Sequence, residues 1–329
     1  MEKIRVGIVG VGSIAKGIHI PGYLKSPDSI INAICDIDDA ALKNASVLCN
    51  VPLERCFKKY QDLIASEDVD VVDICTPNYI HCEIASEAIR YGKPFSVEKP
   101  MGMSYNETKT LYNNALNAGI PGVICFSWRY RPYIRFMKWI VDKGEIGDLH
   151  HIYVRCIKES GLWPGRKLEW RFIKELAGTG VLGDLASHMF DTVRFLGEEF
   201  KSVSADSGII IKQRQKINSD EIGTVTTDDW CNILANMESG VNATFQISRC
   251  ATNISDWIQV ELYGSKGSLT YSYKDGVQSL EICTGEIDVM GSGKHVIKPP
   301  KRFDAVQSQA FINVVRGNDD GLTATVKDG

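Results

Sequence analysis

Near the start of the chain the apolar run Ile4–Val9 breaks into Gly10-Val11-Gly12-Ser13-Ile14-Ala15 and passes straight into helical spacing over Ser13–Leu24. No other feature constrains the fold as much. A strand that turns at once into a helix, before another apolar strand, opens a βαβ unit and commits the region to a parallel sheet. The spacing G-x-G-x-x-A also has a chemical use. Gly10 permits the tight turn, Gly12 lets the backbone approach a diphosphate, and Ala15 lets the helix lie close to the sheet. The helix start, with Ser13 and Ile14, then offers unpaired N–H groups and the positive end of its dipole to an anion.

The pattern repeats. Short β-branched runs at Ile30–Asp36, Val69–Cys75, Pro94–Glu98 and Gly122–Phe126 alternate with helical spacing at Asp39–Cys49, Ile80–Tyr91 and Tyr105–Ala118, and a shorter helix is expected at Tyr60–Ala65. Strands this apolar are covered on both faces. After Ser127 the style changes. Helices are expected at Tyr133–Val141 and Asp184–Leu196. Strands then follow without helices between them, at Asp229–Met237, Val241–Ser248, Ile258–Tyr263, Ser268–Tyr273 and Gln278–Cys283, with hairpin turns at Glu238–Gly240 and Ser265–Gly267. Lys212–Thr227 is polar and reads as a long loop or an exposed hairpin. The expected fold class is therefore α/β. A Rossmann dinucleotide-binding domain spans 1–126, and an α+β domain with a mostly antiparallel open sheet spans 127–329.

The 329 residues suffice for two such domains. A net charge of −4 disfavours a nucleic-acid or anionic-membrane partner. No stretch is long and apolar enough to span a membrane, and the N-terminus lacks the pattern of a secretory signal. The ten cysteines include no CxxC pair, and several lie in apolar runs such as AICDI and VDICT. They read as buried thiols of a reducing, cytoplasmic protein, with no metal site expected.

Asp36 ends the second strand, and no Lys or Arg follows it among Ile37, Asp38 and Asp39. A carboxylate there accepts both hydroxyls of an adenosine ribose and repels a 2′-phosphate, which favours NAD over NADP. Asp38 is placed to cap the next helix. Thr76-Pro77 follows the third strand at the carboxyl end of the sheet, where open α/β folds bind ligands. Glu98-Lys99-Pro100 sets two opposite charges after an apolar strand, which is costly unless they are paired or functional. Asp184 and His188, four residues apart, share one helix face. Each feature also has a structural explanation: a surface ion pair for Glu98 and Lys99, a cap for Asp184, a core hydrogen bond for His188, a helix start for His81.

Four segments in this order, GIVGVGSIA with Asp36, Thr76-Pro77-Asn78-Tyr79-Ile80-His81, Glu98-Lys99-Pro100 and Gly180-Val181-Leu182-Gly183-Asp184-Leu185-Ala186-Ser187-His188-Met189-Phe190-Asp191, resemble the glucose-fructose oxidoreductase and inositol dehydrogenase family (Gfo/Idh/MocA). The resemblance covers nearly the whole chain. It implies an NAD(P)-dependent dehydrogenase transferring a hydride between a secondary alcohol of a sugar, cyclitol or sugar acid and a nicotinamide. Thr76, Pro77, Asn78 and His81 would line the cofactor, Glu98 would lie on the nicotinamide side, and Lys99 would point at the reacting carbinol with Asp184 and His188 facing the substrate. His188 suits a general base, because an imidazole titrates near neutral pH. Lys99 then stabilises the negative charge developing on the hydroxyl oxygen; the opposite division, with Lys99 moving the proton, stays open.

Arg129, Tyr130, Trp163, Trp170 and Arg171 are expected to line the substrate site, since aromatic faces and guanidinium forks suit polyols and sugar acids, with a place in the core the alternative for Trp170. Gly161–Arg166 reads as a mobile cleft loop. The resemblance also implies a homodimer or homotetramer. Two departures stand out: Ser127-Trp128 replaces a common asparagine-containing sequence, and the chain ends earlier than usual for the family, which implies a missing final helix and strand. Rival readings are a catalytically silent dinucleotide sensor, an NAD-using glycosidase and an aromatic dihydrodiol dehydrogenase.

Overall fold

A computed structural model describes residues 2–284 and 293–329. The chain divides into two units, Met1–Ser127 with Ala305–Gly329, and Trp128–Asp304.

The first unit is built on six parallel strands: β1 (Ile4–Val9), β2 (Ser29–Cys35), β3 (Cys56–Phe57), β4 (Val71–Ile74), β5 (Phe95–Val97) and β6 (Gly122–Ile124), in the order β3-β2-β1-β4-β5-β6. Connections run one way from β1 to β3 and the other way from β4 onward, so the order reverses between β1 and β4. Ligands bind outside the carboxyl ends of the strands at such a reversal. The strands are apolar because both faces are buried. One face packs Leu63, Ala85 and Leu111, the other Ile20, Tyr23 and Leu42. The helices are α1 (Ile20–Lys25), α2 (Asp39–Cys49), α3 (Tyr60–Ala65), α4 (His81–Arg90) and α5 (Tyr105–Ala118). Asp38 caps α2 as expected, accepting from the Ala41 N–H at 2.9 Å. The single helix expected over Ser13–Leu24 is instead a wider π-helical turn, Ala15–His19, leading into α1.

The tail departs from expectation. Residues 305–329 were assigned to the second domain, yet they complete the first. Their apolar residues find partners there. Helix α9 (Gln307–Val315) buries Phe311 and Ile312 in the same core cluster as Ile20 and Tyr23. Beyond it, Ile124 N–H donates to the Ala324 carbonyl at 3.0 Å and Val326 N–H to the Gly122 carbonyl at 3.0 Å, an antiparallel edge on β6.

The second unit holds α6 (Pro132–Asp142), α7 (Lys174–Ala177), α8 (Ser187–Phe195) and an eight-stranded sheet of order β16-β15-β14-β13-β7-β12-β11-β8. Its strands are β7 (Leu149–Lys158), β8 (Phe200–Gly208), β11 (Trp230–Met237), β12 (Asn242–Ser248), β13 (Asp256–Gly264), β14 (Gly267–Lys274), β15 (Val277–Thr284) and β16 (Lys294–Ile297). Pairing is antiparallel apart from β7 with β12. Both expected hairpins form, β11 to β12 and β13 to β14. The polar stretch after residue 212 is a small hairpin of β9 (Gln213–Gln215) and β10 (Ile222–Thr224). Strands β7 and β8 were not expected. In β7 only Ile152, Val154 and Cys156 alternate as buried residues among histidines and charges, and β8 is polar and mostly exposed.

Candidate functional site

The carboxyl edge of the parallel sheet gathers most of the residues singled out above. Gly10 has φ of +89°, and its N–H donates to the Cys35 carbonyl at 2.8 Å. A Cβ there would sit 2.8 Å from the Cys75 carbonyl, so a larger residue is excluded twice over. Gly12 is the opposite case. The position its Cβ would take meets nothing within 4 Å, so the loop is open where a phosphate would approach. Ser13 is exposed and Ile14 half-buried beside it. Asp36 lies one residue past β2. Its Oδ2 accepts the Val11 N–H at 2.9 Å and its Oδ1 the Asp38 N–H at 3.0 Å, which ties the carboxylate to the glycine loop and leaves lone pairs for ribose hydroxyls.

One strand across, Cys75 N–H bonds the Val9 carbonyl at 2.8 Å and brings Thr76-Pro77-Asn78 beside the glycine turn. The Thr76 hydroxyl is buried with no hydrogen-bond partner among the described residues, a donor left for a ligand. His81 takes a different part from the one expected. It is 0% exposed, with Nδ1 2.9 Å from the Pro100 carbonyl and Nε2 2.8 Å from the Thr76 carbonyl. Burial lowers its pKa against the pull of both carbonyls. His81 therefore braces the two ligand loops and presents no ring nitrogen to a cofactor.

Glu98 N–H bonds the Ile74 carbonyl at 2.9 Å, which carries Glu98 and Lys99 to the same edge. Glu98 is buried and Lys99 half-buried, and the Lys99–Pro100 bond is cis. Sequence reasoning missed what holds Glu98. His19, from the π-helical turn, is 3% exposed and sits between two carboxylates, with Nδ1 2.8 Å from Asp73 Oδ2 and Nε2 2.9 Å from Glu98 Oε1. Burial alone would lower the His19 pKa, but Asp73 overrides it and holds the ring well above its ordinary value. The partners lie 54 and 79 residues away, so no local pattern reveals the contact. Cys125 Sγ also comes within 4.8 Å of donor atoms of His19 and Asp73. Both ring nitrogens are already bonded, and burial pushes the Cys125 thiol well up, so the cluster is a hydrogen-bonded network rather than a ligand set.

In the second unit Asp184 lies in a π-helical turn, Leu182–Ala186, and His188 in the first turn of α8. Such turns recur at functional sites. Both side chains are half-buried. The expectation allowed Asp184 to be a helix cap. That task belongs to Asp228, whose carboxylate accepts the Gly180 N–H at 2.6 Å and the Leu182 N–H at 2.9 Å. A Cβ on Gly180 would lie 1.9 Å from the Asp228 carbonyl oxygen, which explains the glycine. Sequence gave no sign of Asp228, which falls outside every motif.

Arg129 and Tyr130 are corrected. Both are 6% exposed. Arg129 grips Asp191 through Nε at 2.9 Å and Nη2 at 2.6 Å, with its guanidinium over the Phe195 ring, so its fork is used inside the core. Trp163 is 55% exposed on the expected loop, beside Arg166 and Arg214.

Two family models match the chain: "Oxidoreductase family, NAD-binding Rossmann fold" over residues 4–121 and "GFO/IDH/MocA C-terminal domain" over 134–270. The chain belongs to the Gfo/Idh/MocA family. Among its curated Gfo/Idh/MocA relatives, levoglucosan dehydrogenase of Pseudarthrobacter phenanthrenivorans is 28% identical, over 83% of this chain and 75% of that protein. Inositol 2-dehydrogenase of Rhizobium meliloti is 27% identical, over 86% and 79%. Among solved structures, an oxidoreductase domain protein from Kribbella flavida superposes with a TM-score of 0.88 at 27% identity, covering 98% of this chain and 94% of that one. The protein is thus an NAD-binding oxidoreductase. The edge described above fits the cofactor: the open Gly12 turn for the diphosphate, Asp36 for the ribose, and the unpartnered Thr76 hydroxyl nearby.

Proposed function

We propose that this Gfo/Idh/MocA protein is an NAD-dependent dehydrogenase of a polyhydroxylated ring or chain: a sugar, cyclitol or sugar acid. The observation carrying the reading is the convergence of Lys99, Glu98, Thr76 and Asp36 on one sheet edge around the Gly10 turn. The dehydrogenases among the relatives support the substrate class.

When bound, NAD accepts the hydride. The alcohol proton is left for the protein. Lys99 donates a hydrogen bond to the hydroxyl oxygen and stabilises the charge that develops there. His188 takes the proton and Asp184 holds substrate hydroxyls. Glu98 is fixed by His19 on the side of Lys99. Cofactor choice follows from Asp36, whose carboxylate repels a 2′-phosphate; the lysine beside it, Lys58, is already engaged by the Ile37 carbonyl and the Asp39 carboxylate, both at 2.7 Å.

The direct test is a panel of sugars, inositols and sugar acids assayed for NADH formation. Turnover of at least one is expected, with Lys99→Met losing about 10²–10³-fold in kcat while keeping NAD affinity. Silence across the panel with NAD still bound would favour a dinucleotide sensor. A kcat close to wild type in Lys99→Met would remove Lys99 from the chemistry.

The open sheet face supports self-association. Leu234 and Tyr153 stand exposed in one cross-strand row, with Tyr263 stacked edge-on against Tyr153 at 5.9 Å. A homodimer or homotetramer is expected by sedimentation. The free thiols fit a reducing cytoplasm.

A further inference from the structure

The second unit contains a cavity of about 300 Å³ that the dehydrogenase reading does not use. It lies between the loop Gly161–Arg166 and strand β9, and its walls include Gly161, Trp163, Arg166, Gln213 and Arg214.

Charge is unbalanced here. Three guanidiniums surround the Phe172 ring, Arg214 at 4.1 Å, Arg249 at 4.5 Å and Arg166 at 4.9 Å. Arg249 is neutralised by buried Asp229, with Nε to Oδ1 at 2.8 Å. Arg166 pairs with Glu169 at 3.2 Å. Arg214 is 7% exposed, and no carboxylate pairs with it among the described residues. Its Nη2 donates to the Gly161 carbonyl at 2.6 Å and its Nη1 to the Arg166 carbonyl at 3.3 Å, while its buried Nε–H has no acceptor. Lys167 adds a cation bonded to the side chain of Gln215, which lines the cavity and whose amide reaches exposed Asp220 at 3.0 Å.

A buried cation with no carboxylate bonded to it is costly: Asp229 acts on Arg214 only through space and is already bonded to Arg249, and stacking on Phe172 returns only part of the cost. Burial accordingly lowers the Arg214 pKa. A guanidinium has five N–H donors in a planar fork suited to a carboxylate or phosphate, and neutral carbonyls engage only two of them here. The half-exposed face of Trp163 and the amide of Gln213 beside it suit a hydroxylated carbon chain attached to that anion.

We propose that this cavity is a binding site for a sugar-derived anion, its carboxylate or phosphate balancing Arg214. The site is complete within the second unit and does not depend on the identity of the dehydrogenase substrate.

The test titrates the full-length protein calorimetrically with gluconate, with glucose 6-phosphate, with neutral glucose, and with sodium chloride at matched ionic strength. Saturable binding of gluconate or glucose 6-phosphate is expected, at least about tenfold tighter than glucose. Gluconate binding alone assigns a carboxylate ligand, glucose 6-phosphate binding alone a phosphate. Arg214→Met should weaken binding at least about tenfold. Because that change falls in a buried cluster, Gln213→Glu serves as a second variant: it lies on the exposed rim, leaves NAD affinity unchanged, and sets a negative charge against the ligand. It too should weaken binding at least about tenfold. No saturable binding of either anion beyond the salt control overturns the proposal. Anion affinity unchanged in Gln213→Glu also overturns it, because the anion is then bound elsewhere.

Discussion

The Asp36 carboxylate holds the Val11 and Asp38 N–H groups, and the proposed function gives its remaining lone pairs the ribose hydroxyls of NAD. Asp36→Ser should weaken NAD binding about 10–100-fold, the worth of one or two charge-assisted hydrogen bonds, and narrow the margin over NADP. Equilibrium titration of both dinucleotides checks this, and an unchanged NAD affinity would contradict the contact. His19 carries a second expectation. Its folded pKa is raised above the unfolded value of about 6.5, so its pairing with Asp73 and Glu98 stabilises the fold in full below about pH 6.5 and is lost as pH climbs through the folded value. The difference in melting temperature between the protein and its His19→Gln variant should therefore be largest near pH 6 and shrink in alkali. A constant difference would show that the ring is neutral throughout. These two residues mark the limit of legibility at this scale. The place of Asp36 beside the glycine turn was readable because it depends on position along the chain. His19 was not, because its partners arrive through strand order, and Arg129 was misjudged because Asp191 reaches it from a helix 62 residues away.

The helices that hold the candidate cofactor loop and the candidate residues Asp184 and His188 begin alike, each with a π-helical turn, Ala15–His19 and Leu182–Ala186. Their starts are secured differently. The first is held by backbone at Gly10 and by Asp36; the second is capped from outside by Asp228, packed so close to Gly180 that no side chain fits. Asp228→Ala should cost about 0.5–2 kcal/mol of stability and lower kcat more than it raises KM. Gly180→Ala should be worse, since backbone must move, and loss of soluble protein is the expected outcome. A Gly180→Ala protein with normal stability and kinetics would mean that this contact does not anchor the helix. Strands β1, β2, β4, β5 and β6 of the first unit were legible because burial on both faces leaves continuous apolar runs bounded by turns, whereas the two-residue β3 is too short to leave one. Strands β7 and β8 escaped because one has a solvent face rich in histidine and charge and the other is almost wholly exposed, so their strand identity comes from pairing partners.

At the scale of the molecule, the division into units does not follow chain order. Residues 305–329 belong with the first 127, and Phe311, 1% exposed, sits in a core formed mainly by residues before position 124. Phe311→Ala should destabilise the first unit by about 3–5 kcal/mol. Differential scanning calorimetry with and without NAD checks which transition moves. A shift confined to the transition that NAD does not affect would contradict the assignment. This arrangement was hidden in the sequence because a helix of ordinary amphipathic spacing says nothing of which core it will join. It also has a consequence for biosynthesis. A ribosome delivers residues 1–127 first and their closing helix only after the whole intervening sheet domain has emerged. Until then the β6 rim lies bare, and nascent chains should need protection there until residues 324–326 reach it.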